Sequence, residues 1–151
     1  MSLKSLITAM LLACTYYALI PFGLAVTNWI HMPDWWYPSL GKNNISALIW
    51  LQLEHTVGII VASLPVAALV NVVAKSDWWR ITLLSAFIAT TIFALDVNLL
   101  RLWEVSRNTS TTFVSGLIDV AKIFVVFVCL AYLIRLVMLP NKHPHPRPSG
   151  D

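Results

Sequence analysis

The sequence has little charge, little glycine and almost no cysteine. Only 11% of its 151 residues are charged, and it contains two cysteines and five glycines. This charge is too low for a soluble domain of ordinary composition, in which about 25% of residues are charged. Cys14 and Cys129 have neither the Cys-x-x-Cys spacing of a redox motif nor the framework of a secreted disulfide scaffold. We interpret them as small apolar packing residues.

Long apolar runs make up most of the chain instead. Hydrophobic residues account for 58% of the sequence, and the mean hydropathy is +0.76. Four runs exceed the roughly 20 residues needed to cross a lipid hydrocarbon core, namely residues 6–30, 45–74, 78–103 and 113–139. They predict an all-α integral membrane protein, with four transmembrane helices in an up-and-down bundle over residues 1–139. The proline-rich residues 140–151 predict a disordered cytoplasmic tail.

The first run begins with features of a signal peptide. Lys4 precedes an apolar stretch, and residues 11–14 are similar to a lipobox. The apolar character continues past Cys14 for long enough to give a complete span. We therefore expect the first helix to be retained.

The distribution of lysine and arginine predicts the orientation. Cytoplasmic segments of membrane proteins carry the excess of these residues. With the N-terminus inside, the inner segments hold Lys4, Lys75, Arg80, Arg135, Lys142 and Arg147, and the outer loops hold Lys42, Arg101 and Arg107. Both termini are therefore predicted in the cytoplasm, in a plasma membrane and specifically a bacterial inner membrane. The short inner turn after residue 74 also predicts that the second and third helices are antiparallel neighbours, with Ser76 or Asp77 capping the third.

Aromatic residues are concentrated in the first outer loop. Trp35, Trp36 and Tyr37 lie there between two prolines. Tryptophan and tyrosine are typical of membrane interfaces, so the loop is predicted to lie on the outer membrane surface. It serves there either as an anchor or as a docking surface for a partner.

Ionisable residues inside the apolar runs are the candidate functional residues. They are Glu54, His55, Asp96, Asp119 and Lys122. At a rise of 1.5 Å per residue they all lie about 10 to 15 Å from the outer interface, which predicts one polar layer shared by three helices. Its three carboxylates exceed its cations, so we expect Glu54 or Asp96 to hold a proton or to bond His55.

Helical spacing adds three details to this layer. Gly58 and Ala62 follow the Glu54–His55 pair on the second helix and form a small-residue stripe of the kind that permits close helix approach. Asp119 and Lys122 are three residues apart on the fourth helix and can form an ion pair. Tyr16 and Tyr17 on the first helix offer hydroxyl partners.

A second polar stripe lies on the third helix. It consists of Thr91, Ala94, Asn98 and Arg101, which are spaced by three and four residues. Arg101 can reach the lipid headgroups, but Asn98 is placed deeper. The stripe therefore predicts a contact face for another membrane protein or for a like subunit.

The polar layer and the stripe favour intramembrane protein–protein interaction as the function. The protein is predicted to be an accessory subunit of a membrane complex, or an immunity or inhibitor protein against a membrane-active partner. The alternative is a small proton- or cation-coupled transporter that uses the polar layer. His31 and His55 lie at different depths, and Glu54 and His55 are adjacent rather than spaced as Glu-x-x-His, so neither a haem nor a carboxylate-bridged metal is predicted. We predict no catalytic residue, cofactor or nucleic-acid partner, which favours a protein that is not an enzyme.

Overall fold

Four long helices form the structure. It is a computed structural model and describes residues 2–27, 44–75, 77–96 and 110–138. The helices are α1 (Leu3–Thr27), α2 (Asn44–Val73), α3 (Trp78–Asp96) and α4 (Ser110–Met138). Each is long and apolar enough to cross a membrane. Over the described residues, the predictions of an all-α fold and of four helices long and apolar enough to span a membrane are thus confirmed.

Some predicted features fall outside the described residues. They include the outer-loop aromatics Trp35, Trp36 and Tyr37, the stripe residues Asn98 and Arg101, the end of the third predicted span and the tail at 140–151. The up-and-down path across a membrane and the side on which each terminus lies stay predictions.

The order of the helices around the bundle differs from the order along the chain. α1 packs against α2 and α3, and α4 also packs against α2 and α3. α2 and α3 contact each other far less, so they lie across a diagonal. The prediction that the short turn makes them neighbours is wrong. Four extended residues reach up to about 14 Å, which is enough to cross a bundle whose neighbouring axes are about 8 to 10 Å apart.

Contacts between the helices also give their relative directions. Gly23 and Tyr16 of α1 contact Gly58 and Ser63 of α2 in reverse order, so this pair is antiparallel. α2 and α4 make contacts in the same order along both chains, from Gln52–Ser115 to Asn71–Ala131. The α2–α4 pair is therefore parallel.

The centre of the bundle is occupied by Tyr16, which is fully buried. Its ring stacks on Phe127 of α4 with a centroid distance of 4.7 Å. Its hydroxyl donates to the backbone oxygen of Ile123 at 3.0 Å and accepts from the hydroxyl of Ser63 at 2.8 Å. One side chain thus connects α1 to α2 and, across the diagonal, to α4.

The α1–α2 interface depends on two glycines. A Cβ atom on Gly58 would lie 2.9 Å from the backbone oxygen of Gly23, and a Cβ atom on Gly23 would collide with the backbone oxygen of Gly58. The two backbones are therefore in direct contact, as the Gly58–Ala62 stripe predicts for α2.

One end of the bundle collects the start of α1, the end of α2, the start of α3 and the end of α4. Ser5 of α1 donates to Asp77 Oδ2 at 2.8 Å, and the guanidinium of Arg135 lies 4.6 Å from the ring centre of Trp78. Asp77 also begins α3, because its backbone oxygen accepts from the amide of Ile81 at 2.9 Å. We call this the basic end, because the cations Lys4, Lys75, Arg80 and Arg135 lie on the segments that meet there.

Candidate functional site

Polar side chains from α2 and α4 form one connected group at the α2–α4 interface. We call it the α2–α4 polar cluster, and it consists of Gln52, His55, Ser115, Asp119 and Lys122. Spacings of three and four residues place each helix's members on one side. The parallel packing of the two helices then brings both sets together at the same level.

Asp119 is at the centre of this cluster. Its Oδ2 atom lies 3.0 Å from Nδ1 of His55, and its Oδ1 atom lies 3.5 Å from Nζ of Lys122. The ion pair predicted from the spacing of Asp119 and Lys122 is therefore present. Within the described residues, Oδ1 is buried and accepts no hydrogen bond. The carboxylate thus interacts with Lys122 through charge and with His55 through a hydrogen bond.

Gln52 holds the ammonium group of Lys122 from the other helix. Lys122 donates to the backbone oxygen of Gln52 at 2.8 Å and also to its side-chain oxygen. The amide nitrogen of Gln52 donates in turn to the hydroxyl of Ser115 at 2.7 Å. The predicted polar layer omitted Gln52 and Ser115 because both are uncharged. Their positions, three residues before His55 and four before Asp119, are the signal that would have included them.

Glu54 and Asp96 do not belong to this cluster. Glu54 accepts a hydrogen bond from the indole nitrogen of Trp50 on its own helix at 2.9 Å. Asp96 is exposed at the end of α3, near Tyr17 of α1. His55 bonds Asp119 rather than Glu54 or Asp96, so the three carboxylates do not share one site. Glu54 is directed away from the cluster because adjacent residues diverge by about 100° around a helix axis, and its neighbour His55 faces α4.

The charges within the cluster balance. One carboxylate faces one ammonium group, so the cluster is neutral when His55 is neutral. The surplus of carboxylate expected from the sequence is thus absent from the α2–α4 interface. A neutral, hydrogen-bonded group of this kind can join helices, and it can also bind a polar group presented from outside the bundle.

The predicted partner face on α3 is described only in part. Thr91 is exposed, but its hydroxyl donates to the backbone oxygen of Phe87 at 2.8 Å. Ala94 is half-buried. Neither residue adds a polar group that needs a partner.

Within the described ranges, no three His, Cys, Asp or Glu side chains are grouped to hold a metal ion. Comparison of the chain with protein-family models, with curated proteins and with solved structures finds no match. Any function is therefore inferred from the geometry of the α2–α4 polar cluster and its surroundings.

Proposed function

We propose that this multi-pass protein binds another membrane protein within the lipid bilayer, through the α2–α4 polar cluster and the adjoining surface of α4. The observation that carries the proposal is the partial exposure of this cluster. The side chains of His55, Lys122 and Asp119 are 29%, 19% and 13% exposed. They are thus open to the outside of the bundle.

The depth of the cluster makes this exposure costly. Lys122 lies eight residues into the span 114–138 and His55 lies seven residues into the span 48–73, or about 12 and 10 Å along the helix axes. Polar side chains exposed to lipid at such depths are unfavourable. A partner helix that hydrogen-bonds them contributes roughly 0.6 to 2 kcal/mol for each contact.

The surface of α4 supports the same location. Only 17% of the most apolar 18-residue stretch of α4 is buried inside the bundle, against 33 to 39% of the corresponding stretch in the other three helices. α4 also supplies both charged members of the cluster. The helix with the most uncovered surface therefore carries both charged members of the cluster, which is the combination expected at a contact with a further helix.

By binding this partner, the protein acts either as an accessory subunit of a membrane complex or as an immunity or inhibitor protein. We place it in the bacterial inner membrane with both termini in the cytoplasm. The basic end supports this orientation, because lysine and arginine are enriched on the cytoplasmic side. Labelling of single cysteines with a membrane-impermeant reagent from either side of the membrane tests the placement.

The two native cysteines provide a matched test of the contact. Cys129 on α4 and Cys14 on α1 are both exposed, and Cys129 lies about two turns beyond Lys122 on the same side of the helix. Each of the variants Cys14→Ala and Cys129→Ala keeps one cysteine, Cys129 and Cys14 respectively. A photoactivatable cross-linker is attached to that cysteine in native membranes. We expect a partner to be captured through Cys129 and not through Cys14.

A further variant connects this capture to the polar cluster. His55→Leu removes the most exposed of the three side chains and should weaken capture through Cys129 while the bundle stays folded. Equal capture through both cysteines, or capture that His55→Leu leaves unchanged, would contradict the proposed contact. A captured second copy of the chain would identify the partner as a like subunit.

Proton- or cation-coupled transport is the second candidate function. It is favoured by the hydrogen bond of 3.0 Å between His55 and Asp119, because ionisable residues that pair within a span commonly form proton or ion pathways. Proteoliposomes with an internal pH dye test it by comparing the parent with His55→Asn. Proton flux that is absent from the parent, or equal in both proteins, would exclude proton transport through His55.

A further inference from the structure

An open cavity lies between the ends of α2 and α4 at the basic end. It has a volume of about 260 Å³ and is lined by Asn71, Lys75, Arg135 and Met138. Two of these residues are cations, and no acidic residue is among the described ones that line it. The cavity is separate from the α2–α4 polar cluster, which lies nearer the other ends of the same two helices.

The side chains of Arg135 and Asn71 in the cavity wall are both held in place by their neighbours. The guanidinium of Arg135 lies over Trp78 at 4.6 Å from the ring centre, so its plane is fixed by a cation–π contact. The amide nitrogen of Asn71 donates to the backbone oxygens of Ala67 and Ala131 at 2.8 and 2.9 Å. Arg135 therefore presents its charge from a preorganised wall, whereas the exposed Lys75 is free to move toward a ligand.

Two buried polar atoms at this end have no hydrogen-bond partner within the described residues. They are the side-chain oxygen of Asn71 and the indole nitrogen of Trp78. Of the two residues, Asn71 lines the cavity and Trp78 makes the cation–π contact with the cavity residue Arg135.

The position and size of the cavity indicate a lipid headgroup. Lys75 lies two residues beyond the end of the span 48–73, and Arg135 lies three residues before the end of the span 114–138, so both are at the level of the membrane surface. The volume is below the ~300 Å³ typical of the smallest drug-sized pockets. Apolar side chains that suit acyl chains are exposed on the adjoining turns, at Val72, Val73 and Val137.

We propose that this cavity binds the phosphate of an anionic phospholipid headgroup between Lys75 and Arg135. Cationic pockets between transmembrane helices recognise such lipids by charge, with the guanidinium also able to donate two parallel hydrogen bonds to phosphate oxygens. The site is independent of any partner protein, so it holds whether or not the α2–α4 polar cluster binds one.

Native mass spectrometry of the detergent-solubilised protein tests the site. Phosphatidylglycerol and phosphatidylcholine with identical acyl chains are added in equal amounts, and the retained lipid is measured for the parent, Lys75→Gln, Arg135→Gln and Arg80→Gln. Arg80 is the control, because it is an exposed cation at the same end that does not line the cavity. Each cavity variant should retain about fivefold less phosphatidylglycerol than the parent.

The remaining comparisons decide the assignment. Arg80→Gln should retain as much phosphatidylglycerol as the parent, and the retention of phosphatidylcholine should be the same in every variant. Lys75→Gln tests the site even if Arg135→Gln has a folding defect. Equal retention of the two lipids by the parent would overturn the proposal, as would a loss in Arg80→Gln as large as in Lys75→Gln. Displacement of the lipid by equimolar inorganic phosphate would reassign the cavity to a free anion and reject the lipid.

Discussion

α2 contacts α1 through small residues and contacts α4 through polar side chains. Toward α1 it presents Gly58, whose backbone touches that of Gly23. Toward α4 it presents Gln52 and His55, which bond Ser115 and Asp119. The first interface depends on shape and excludes any added atom, whereas the second depends on matched polar atoms and is partly exposed. The difference indicates that the α1–α2 interface fixes the bundle, while the α2–α4 interface also has groups to offer to the outside.

The largest effect is expected from filling the glycine contact. Gly23→Leu would drive its side chain into the backbone of Gly58 and the Cβ atom of Ala62, which is 3.0 Å from a Cβ placed on Gly23. Because the obstacle is mainly backbone, the helices must separate, and we expect a loss of about 3 kcal/mol or more in the free energy of unfolding. Titration with sodium dodecyl sulfate, followed by tryptophan fluorescence, measures this loss.

The control for this change is Ala25→Leu on the exposed side of the same helix. It adds a side chain of the same kind at a position that does not face α2, so its effect on unfolding should be small. If Gly23→Leu were as stable as Ala25→Leu, the direct backbone contact would not be what holds α1 to α2.

A smaller effect is expected from leaving one charge of the polar cluster unpaired. Asp119→Asn keeps a hydrogen-bonding group near His55 but removes the negative charge 3.5 Å from Lys122. The uncompensated ammonium should lower the free energy of unfolding by about 2 to 3 kcal/mol. Adding Lys122→Met should recover part of this loss, because the double variant has no charge to compensate.

The double-mutant cycle separates pairing from local damage. Asp96→Asn makes the same chemical change at an exposed carboxylate at the end of α3, and it should lower the free energy of unfolding less than Asp119→Asn does. The free energy of unfolding is measured for Asp119→Asn, for Lys122→Met and for the double variant. If the loss in the double variant equals the sum of the losses in the two single variants, Asp119 and Lys122 act independently. That result would remove the ion pair from the account of the α2–α4 interface.

The sequence is sufficient to predict the four spans but not the arrangement of the helices. Spans follow from length and apolarity alone, which lipid imposes on every membrane helix. The order of helices around the bundle depends on which helix surfaces fit together. The apolar residues on the surface of a membrane helix do not indicate which helix packs against them. The short turn at Asp77 favoured adjacent helices, yet the turn is long enough to cross the diagonal.

The candidate site was predictable within a helix and less so between helices. The spacing of Asp119 and Lys122 is sufficient to predict their ion pair, because both residues belong to α4. The membership of Gln52 and the exclusion of Glu54 and Asp96 depend on the rotation of each helix about its axis. Depth from an interface gives one coordinate only, and the rotation is set by packing, including the contact between Gly23 and Gly58.

The smallest effect is expected at Tyr16, the α1 residue whose hydroxyl contacts both α2 and α4. Tyr16→Phe keeps the ring that stacks on Phe127 and removes the hydroxyl that joins Ser63 to the backbone oxygen of Ile123. We expect a loss of about 1 kcal/mol in the free energy of unfolding, since the hydroxyl of Ser63 still donates to the backbone oxygen of Ile59 on its own helix. Tyr132→Phe, on the exposed side of α4, should cause no loss in the same detergent titration. Equal stability of the two variants would mean that the ring of Tyr16, and not its hydroxyl, connects the glycine contact to α4.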